Sequence, residues 1–101
     1  MVKRLVDAAK ASGSSAEGLR KIIYGGGPMY LEDCKRAVAA LGDRFAQIYG
    51  QGESPMTITS LARHRFPRPD EERYEARLAS AGLPFSIVEV RVVDADDNPL
   101  P

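Results

Sequence analysis

Three consecutive glycines and a proline, Gly25-Gly26-Gly27-Pro28, break the chain between two differently patterned stretches. No helix or strand runs through those four residues cheaply. Glycine loses the most backbone freedom on ordering, and proline fixes φ and lacks an N–H donor. Before the break, Leu19-Arg20-Lys21-Ile22-Ile23-Tyr24 reads as a strand with a buried end. After it, Leu31, Cys34, Val38 and Leu41 form one apolar stripe at helical spacing, with Glu32, Asp33, Lys35 and Arg36 mostly off it. The acids lie in the first turn, where the helix dipole favours them, and Gly42 is placed to stop the helix. A second strand, Phe45 to Tyr49, then enters another glycine-bearing turn, Gly50-Gln51-Gly52-Glu53. Strand, helix and strand over roughly 30 residues make a βαβ unit, so the strands are expected to be parallel. Both then end on one side of the sheet. That brings the two turns together at the carboxyl edge, where open α/β sheets bind ligands.

The remaining chain is patterned less sharply. Val2, Leu5, Val6 and Ala9 predict a short first helix, ended by Ser12-Gly13-Ser14-Ser15. Pro55 to Phe66 shows no clean period, and Pro67-Arg68-Pro69 punctuates the chain. Asp70 to Ala81 reads as a charged, exposed helix ending at Gly82. From Ile87 to Asp94, Val88, Val90 and Val92 share one face and Glu89 and Arg91 the other, as in a half-exposed antiparallel strand. Asp96-Asp97-Asn98-Pro99 is a turn. The expected class is α/β: a βαβ piece of a larger mixed sheet, then one or more antiparallel strands. The break between two structural units is expected at about Ser60 to Leu83.

Composition excludes several functions. Lys plus Arg is 14 and Asp plus Glu is 14, so no net charge draws the chain to nucleic acid or an anionic membrane. One cysteine, Cys34, permits no internal disulfide and suits a reducing compartment, so the expected location is cytoplasmic. One cysteine and one histidine, His64, cannot build a thiolate–imidazole zinc site. No apolar run approaches the ~20 residues of a membrane helix. Met1-Val2-Lys3-Arg4 leads into Asp7 and Lys10, unlike a signal peptide.

Gly25-Gly26-Gly27 exposes main-chain groups that a flat heterocycle or a phosphate can approach closely, or it is a plain turn. It lacks the spacing of a dinucleotide fingerprint and the Gly-Lys-Ser/Thr of a phosphate-cradling loop. Tyr49-Gly50-Gln51-Gly52-Glu53 offers an aromatic face, two hinges and a carboxylate. The ring suits stacking on a base and the carboxylate suits Mg²⁺. The plainer alternative is a strand-ending core tyrosine and a solvated glutamate. His64, between Arg63 and Arg65, has no partner for acid–base work and reads as structural. Cys34 reads as a small core residue, and Asp70-Glu71-Glu72 as the acidic start of a solvated helix.

Tyr24-Gly25-Gly26-Gly27-Pro28-Met29, a helix, and then Ile48-Tyr49-Gly50-Gln51-Gly52-Glu53-Ser54 resemble two consecutive motifs of the adenylate-forming (AMP-binding) superfamily. Its acyl-CoA synthetase branch, particularly the fatty-acid-activating members, is the most similar in flavour. Gly82-Leu83-Pro84, Val88 to Asp94 and Asn98 to Pro101 are similar to the stretch entering that family's small β-barrel subdomain. The resemblance implies that residues 1–60 belong to a large α/β subdomain with the adenine-side motifs. Residues 61–82 would be a partly helical connector, and residues 83–101 would begin the barrel. It implies that Gly25, Gly26, Gly27 and Pro28 wall the adenine, with Gly27 also bordering the acyl pocket. Tyr49 would lie against the adenine ring, and Gly50, Gln51 and Gly52 would complete the nucleotide contact. Glu53 would hold Mg²⁺ and act in catalysis.

One position departs from the pattern. The family usually has Thr before this Glu, contacting the α-phosphate; here Gly52 stands there, and a charge-assisted bond worth about 1.5–3 kcal/mol is missing. The implied partners are ATP, a carboxylic (fatty) acid and coenzyme A. The family's phosphate loop with its lysine, ribose-binding aspartate and catalytic lysine have no counterpart here. This chain alone is therefore expected to be inactive and to bind none of the cofactors. Its unpaired strands lead to the expectation of a homodimer. Readings from other classes are a non-catalytic adenine-nucleotide-binding or protein-interaction module, and a purely structural fragment.

Overall fold

The computed structural model describes residues 1–100. Helix α1 (Val2–Ser12) forms where the apolar spacing puts it, and Gly13 ends it in the left-handed region at φ 64°. Strand β1 is Ile22–Tyr24, shorter than the expected Leu19–Tyr24. Pairing begins only at Ile22, opposite Phe45. The loop before it is held by Arg44, which donates to the carbonyls of Ser15 and Ala16. Helix α2 (Leu31–Leu41) and its stop at Gly42 are as expected. Strand β2 (Phe45–Gln51) runs two residues further than the pattern suggests. It pairs in parallel with β1, through Ile22↔Phe45, Ile23↔Ala46 and Tyr24↔Gln47, so the βαβ reading holds.

Three expectations are corrected. Pro55 to Phe66 is not irregular throughout, because Ser54–Leu61 is strand β3, folded antiparallel onto β2 across the Gly52-Glu53 turn. Its faces hide it: Thr59 and Leu61 are buried while Met56 is exposed, so polar and apolar residues do not sort by side. The Thr59 hydroxyl meets its burial by donating to the Ala81 carbonyl at 2.7 Å. Secondly, the helix expected over Asp70–Ala81 is only α3 (Tyr74–Leu78). Arg73 is left-handed at φ 58°, which stops any helix from passing through it. Glu71 faces backward, accepting from the Arg68 amide and pairing with Arg77.

Thirdly, Ile87 to Asp94 is not a strand. Strand β4 is Leu83–Pro84, antiparallel to β3, and beyond it only an isolated Val93↔Pro99 bridge forms. The valine alternation is present, but among the described residues only Val93 meets a bridge partner, so no ladder forms. The Asp96–Pro99 turn is borne out: the Asp94 carboxylate accepts from the Asp96 and Asn98 amides, each at 2.9 Å. Those donors hold the carboxyl below its ordinary range.

The result is one mixed α/β sheet in the order β1-β2-β3-β4, and no barrel closes among the described residues. Val6, Ala9, Ala37, Leu41 and Phe45 form the core between the helices and one sheet face, with Ile22, Tyr24, Val38 and Phe66 around them. Lys3 and Asp33 join α1 to α2 at 2.7 Å. The opposite face is bare at its ends: Ile23 is 59% and Leu83 51% exposed. Among the described residues no helix is long and apolar enough to cross a membrane.

Candidate functional site

Parallel pairing places the ends of β1 and β2 side by side, and the two turns meet there as expected. Gly26, Gly27 and Pro28 from the first turn and Gln47, Tyr49, Gly50 and Gln51 from β2 line one open pocket of about 500 Å³. Ala79 and Ala81 close its far side.

The glycines have different reasons to be there. A side chain on Gly25 would strike the Ile48 carbonyl and its Cγ1, so Gly25 lets the end of β1 lie flush on β2. Gly25 does not line this pocket. It belongs to an apolar pocket of about 670 Å³ beside it, with Ile22, Ile23 and Met56; Gly27, Pro28, Met29 and Ile48 border both. At Gly50 a side chain would overlap the Met56 amide and the Ser54 carbonyl, where the β2–β3 register shifts between Tyr49 and Gln51.

Tyr49 is exposed, at 38%, and its hydroxyl accepts from the Gln51 amide group at 2.7 Å. Both residues line the pocket. Gly52 and Glu53 stand apart. They form the exposed tip of the β2–β3 hairpin and are not among the pocket-lining residues. Among the described residues no three His, Cys, Asp or Glu side chains gather as a metal site. Glu53 therefore fits a hard cation only if phosphates and water supply the other ligands.

One residue was missed by sequence reasoning. Gln47 lines the same pocket, and its buried Oε1 has no hydrogen-bond partner. The signal was available: Gln47 lies two residues before Tyr49 on one strand, hence on the same face.

The groups read as structural stay outside the pocket. Cys34 is buried, 3.6 Å from the Tyr24 hydroxyl, and Tyr24, Phe45 and Phe66 pack edge-on and tilted around one another. Burial pushes the Cys34 thiol up, outweighing the opposing effect of the Tyr24 bond, and burial also raises Tyr24. A raised thiol pKa means less thiolate at any given pH. Cys34 is therefore expected to react with iodoacetamide at pH 8 at least about tenfold more slowly in the native chain than in urea. Equal rates would show that the thiol is open. His64 is exposed in the short 3₁₀ turn Arg63–Arg65.

The profile of the AMP-binding enzyme family matches residues 1–101. The chain is 30% identical over 100 residues to medium/long-chain-fatty-acid–CoA ligase FadD8 of Mycobacterium tuberculosis, covering 99% of this chain and 16% of that protein. It is 31% identical over 103 residues to a salicylyl-CoA synthase / salicylate adenylyltransferase of a Streptomyces species, covering 100% of this chain and 17% of that one. Among solved structures, the amide bond synthetase McbA from Marinactinospora thermotolerans superposes with a TM-score of 0.78 at 26% identity, covering 99% of this chain and 19% of that chain. The chain thus spans about one-sixth of the length of these curated relatives. The profile match runs through both turns of the pocket to both ends of the sequence, and the chain belongs to the AMP-binding enzyme family.

Proposed function

We propose that this chain forms the adenine-side wall of an ATP-dependent, fatty-acid-activating acyl-CoA synthetase. The observation that carries the reading is the shared pocket of Gly26–Pro28 and Gln47–Gln51. Glycine backbone lets a flat base approach closely, and the Tyr49 ring offers a stacking face. The unpartnered Gln47 oxygen is the acceptor that an exocyclic amino group needs. The apolar pocket sharing Gly27 and Pro28 suits the first part of an acyl chain.

In the proposed reaction a carboxylate oxygen bonds to the α-phosphorus of ATP, and the bond to pyrophosphate breaks, giving acyl-AMP. The sulfur of coenzyme A then bonds to the acyl carbon and AMP leaves. Glu53 would hold Mg²⁺, which when bound neutralises phosphate charge. Residues 1–60 would serve the large subdomain, 61–82 the connection and 83–101 the entry to a barrel completed elsewhere, with the reaction in the cytoplasm.

An intact enzyme carrying this segment is expected to show fatty-acid-dependent exchange of pyrophosphate into ATP, and the 101-residue chain none above background. Adenylation needs positioned cations and donors at the α-phosphate, which one carboxylate and one ring do not supply. Exchange by the purified short chain, or none by the intact enzyme with any carboxylic acid, would overturn the proposal. In the intact enzyme Gly52→Thr is expected to preserve or improve ATP affinity, up to about tenfold, because a hydroxyl is restored at the phosphate. Its Cβ would meet open space and its φ is not left-handed, so a fall in affinity with the fold intact would contradict the assigned role.

A further inference from the structure

Among the described residues Thr59 is the only buried polar side chain, and its hydroxyl donates at 2.7 Å to the carbonyl of Ala81, a residue lining the pocket of the two turns. Thr59 itself is not part of that lining. We propose that Thr59 is a positioning residue for the nucleotide: its hydroxyl holds the Ala79–Ala81 wall across from Tyr49 and so sets how closely the base is held. The proposal rests on the reading that adenine lies in this pocket.

Strand register puts Thr59 between the two walls. It lies directly opposite Tyr49 on β2 and opposite Pro84 on β4. Directly opposed residues of neighbouring strands share a face, so the Thr59 side chain stands on the face that carries the Tyr49 ring. Tyr49 belongs to the β2 side of the pocket, Ala79 and Ala81 to the far side, and Thr59 to the strand between β2 and β4.

The far wall is a connection rather than a regular element. Helix α3 ends at Leu78 and β4 begins at Leu83, so residues 79–82 join them. Two adjacent contacts seat this connection on β3. The Thr59 hydroxyl takes the Ala81 carbonyl, and Gly82, left-handed at φ 84°, lies flush on the Ser60 backbone where no side chain fits. The pairing then continues through Ser60↔Leu83, and the Phe85 amide donates to the Ile58 carbonyl at 3.1 Å. Gly82 settles the path of the backbone, and the Thr59 bond draws the wall residue itself toward β3. A buried hydroxyl needs some acceptor, and any nearby carbonyl would meet that need. Here the acceptor belongs to a residue of the pocket wall. Ala79 and Ala81 are small and exposed, so the room left for a flat base depends on where their backbone lies.

The test is a kinetic split and a double-mutant cycle in the intact enzyme carrying this segment. Thr59→Val removes the donor and nearly keeps the side chain's shape. It should raise the KM for ATP about fivefold to tenfold. The kcat at saturating ATP and the KM for the carboxylic acid should stay within about twofold, as for a loss of uniform binding. Thr59→Ser keeps the donor and should return the KM for ATP to within about twofold of wild type. On a Tyr49→Ala background, Thr59→Val should add less than about twofold, because both changes act on one base contact. An unchanged KM for ATP in Thr59→Val would overturn the proposal. So would equal losses for ATP and the carboxylic acid, no rescue by serine, or full additivity with Tyr49→Ala. Ala81→Leu leaves the Thr59 bond in place and decides the matter should Thr59→Val fail to fold. It should raise the KM for ATP about tenfold or more, and no change there would also overturn the proposal. Tyr49→Ala by itself separates the two readings. A raised KM for ATP in Tyr49→Ala with none in Thr59→Val removes this proposal only, whereas no effect in either removes the adenine site as well.

Discussion

In the intact enzyme, Glu53→Gln is expected to slow acyl-adenylate formation by roughly a hundredfold or more. Thioester formation from preformed acyl-AMP should change by less than about threefold. Lewis-acid stabilisation of phosphoryl charge is worth several kcal/mol, and each 1.36 kcal/mol is tenfold in rate. On the proposed role, a cation held by Glu53 would accompany ATP and leave with pyrophosphate, so its ligand would matter in the first half-reaction. Glu53 sits at an exposed hairpin tip, so the isosteric amide disturbs no core packing. Single-turnover assays of the two half-reactions separate the effects. Equal losses in both would make Glu53 a structural residue.

Gly82→Ala is expected to cost the 101-residue chain about 3 kcal/mol of stability or more, and Gly52→Ala less than about 0.5 kcal/mol. Gly82 combines a left-handed φ of 84° with a virtual side chain that would overlap the Ser60 carbonyl. The neighbour is backbone of a paired strand, since Ser60 lies opposite Leu83 and Ile48, and it cannot give way without breaking the ladder. Gly52 has neither constraint. Urea unfolding of both variants, monitored by circular dichroism, provides the comparison. Similar midpoints would mean that the β3–β4 contact contributes nothing to the fold.

The sheet edge that carries the site was legible because its signals are local. The Leu31/Cys34/Val38/Leu41 stripe, Gly42, and the apolar runs before each turn imply βαβ, and βαβ alone brings the two turns together. Strand β3 was not legible, because Thr59 is buried by one hydrogen bond to the Ala81 carbonyl while Met56 remains in solvent. Tertiary pairing overrides the binary pattern there. The length of α3 turned on Arg73, an ordinary helix former that is left-handed here at φ 58°. At Ile87–Asp94 the valine alternation is present, but among the described residues only Val93 is bridged, so the expected strand does not form. Within the site, sequence placed Gly26, Gly27, Pro28, Tyr49, Gly50 and Gln51 at one pocket, whereas Gly25, Gly52 and Glu53 lie outside its lining. Gly25 is conformationally demanded by Ile48, and a sequence cannot separate that from close approach to a ligand.

The central claim is that an adenine nucleotide lies between these two turns. Photolabelling of the intact enzyme with 8-azido-ATP, followed by peptide mapping, tests it directly. The account predicts AMP-competed adducts within residues 25–28 or 45–51, with Tyr49→Ala abolishing most of the label. Adducts confined to other parts of the protein, at a nucleotide concentration that supports turnover, would contradict it.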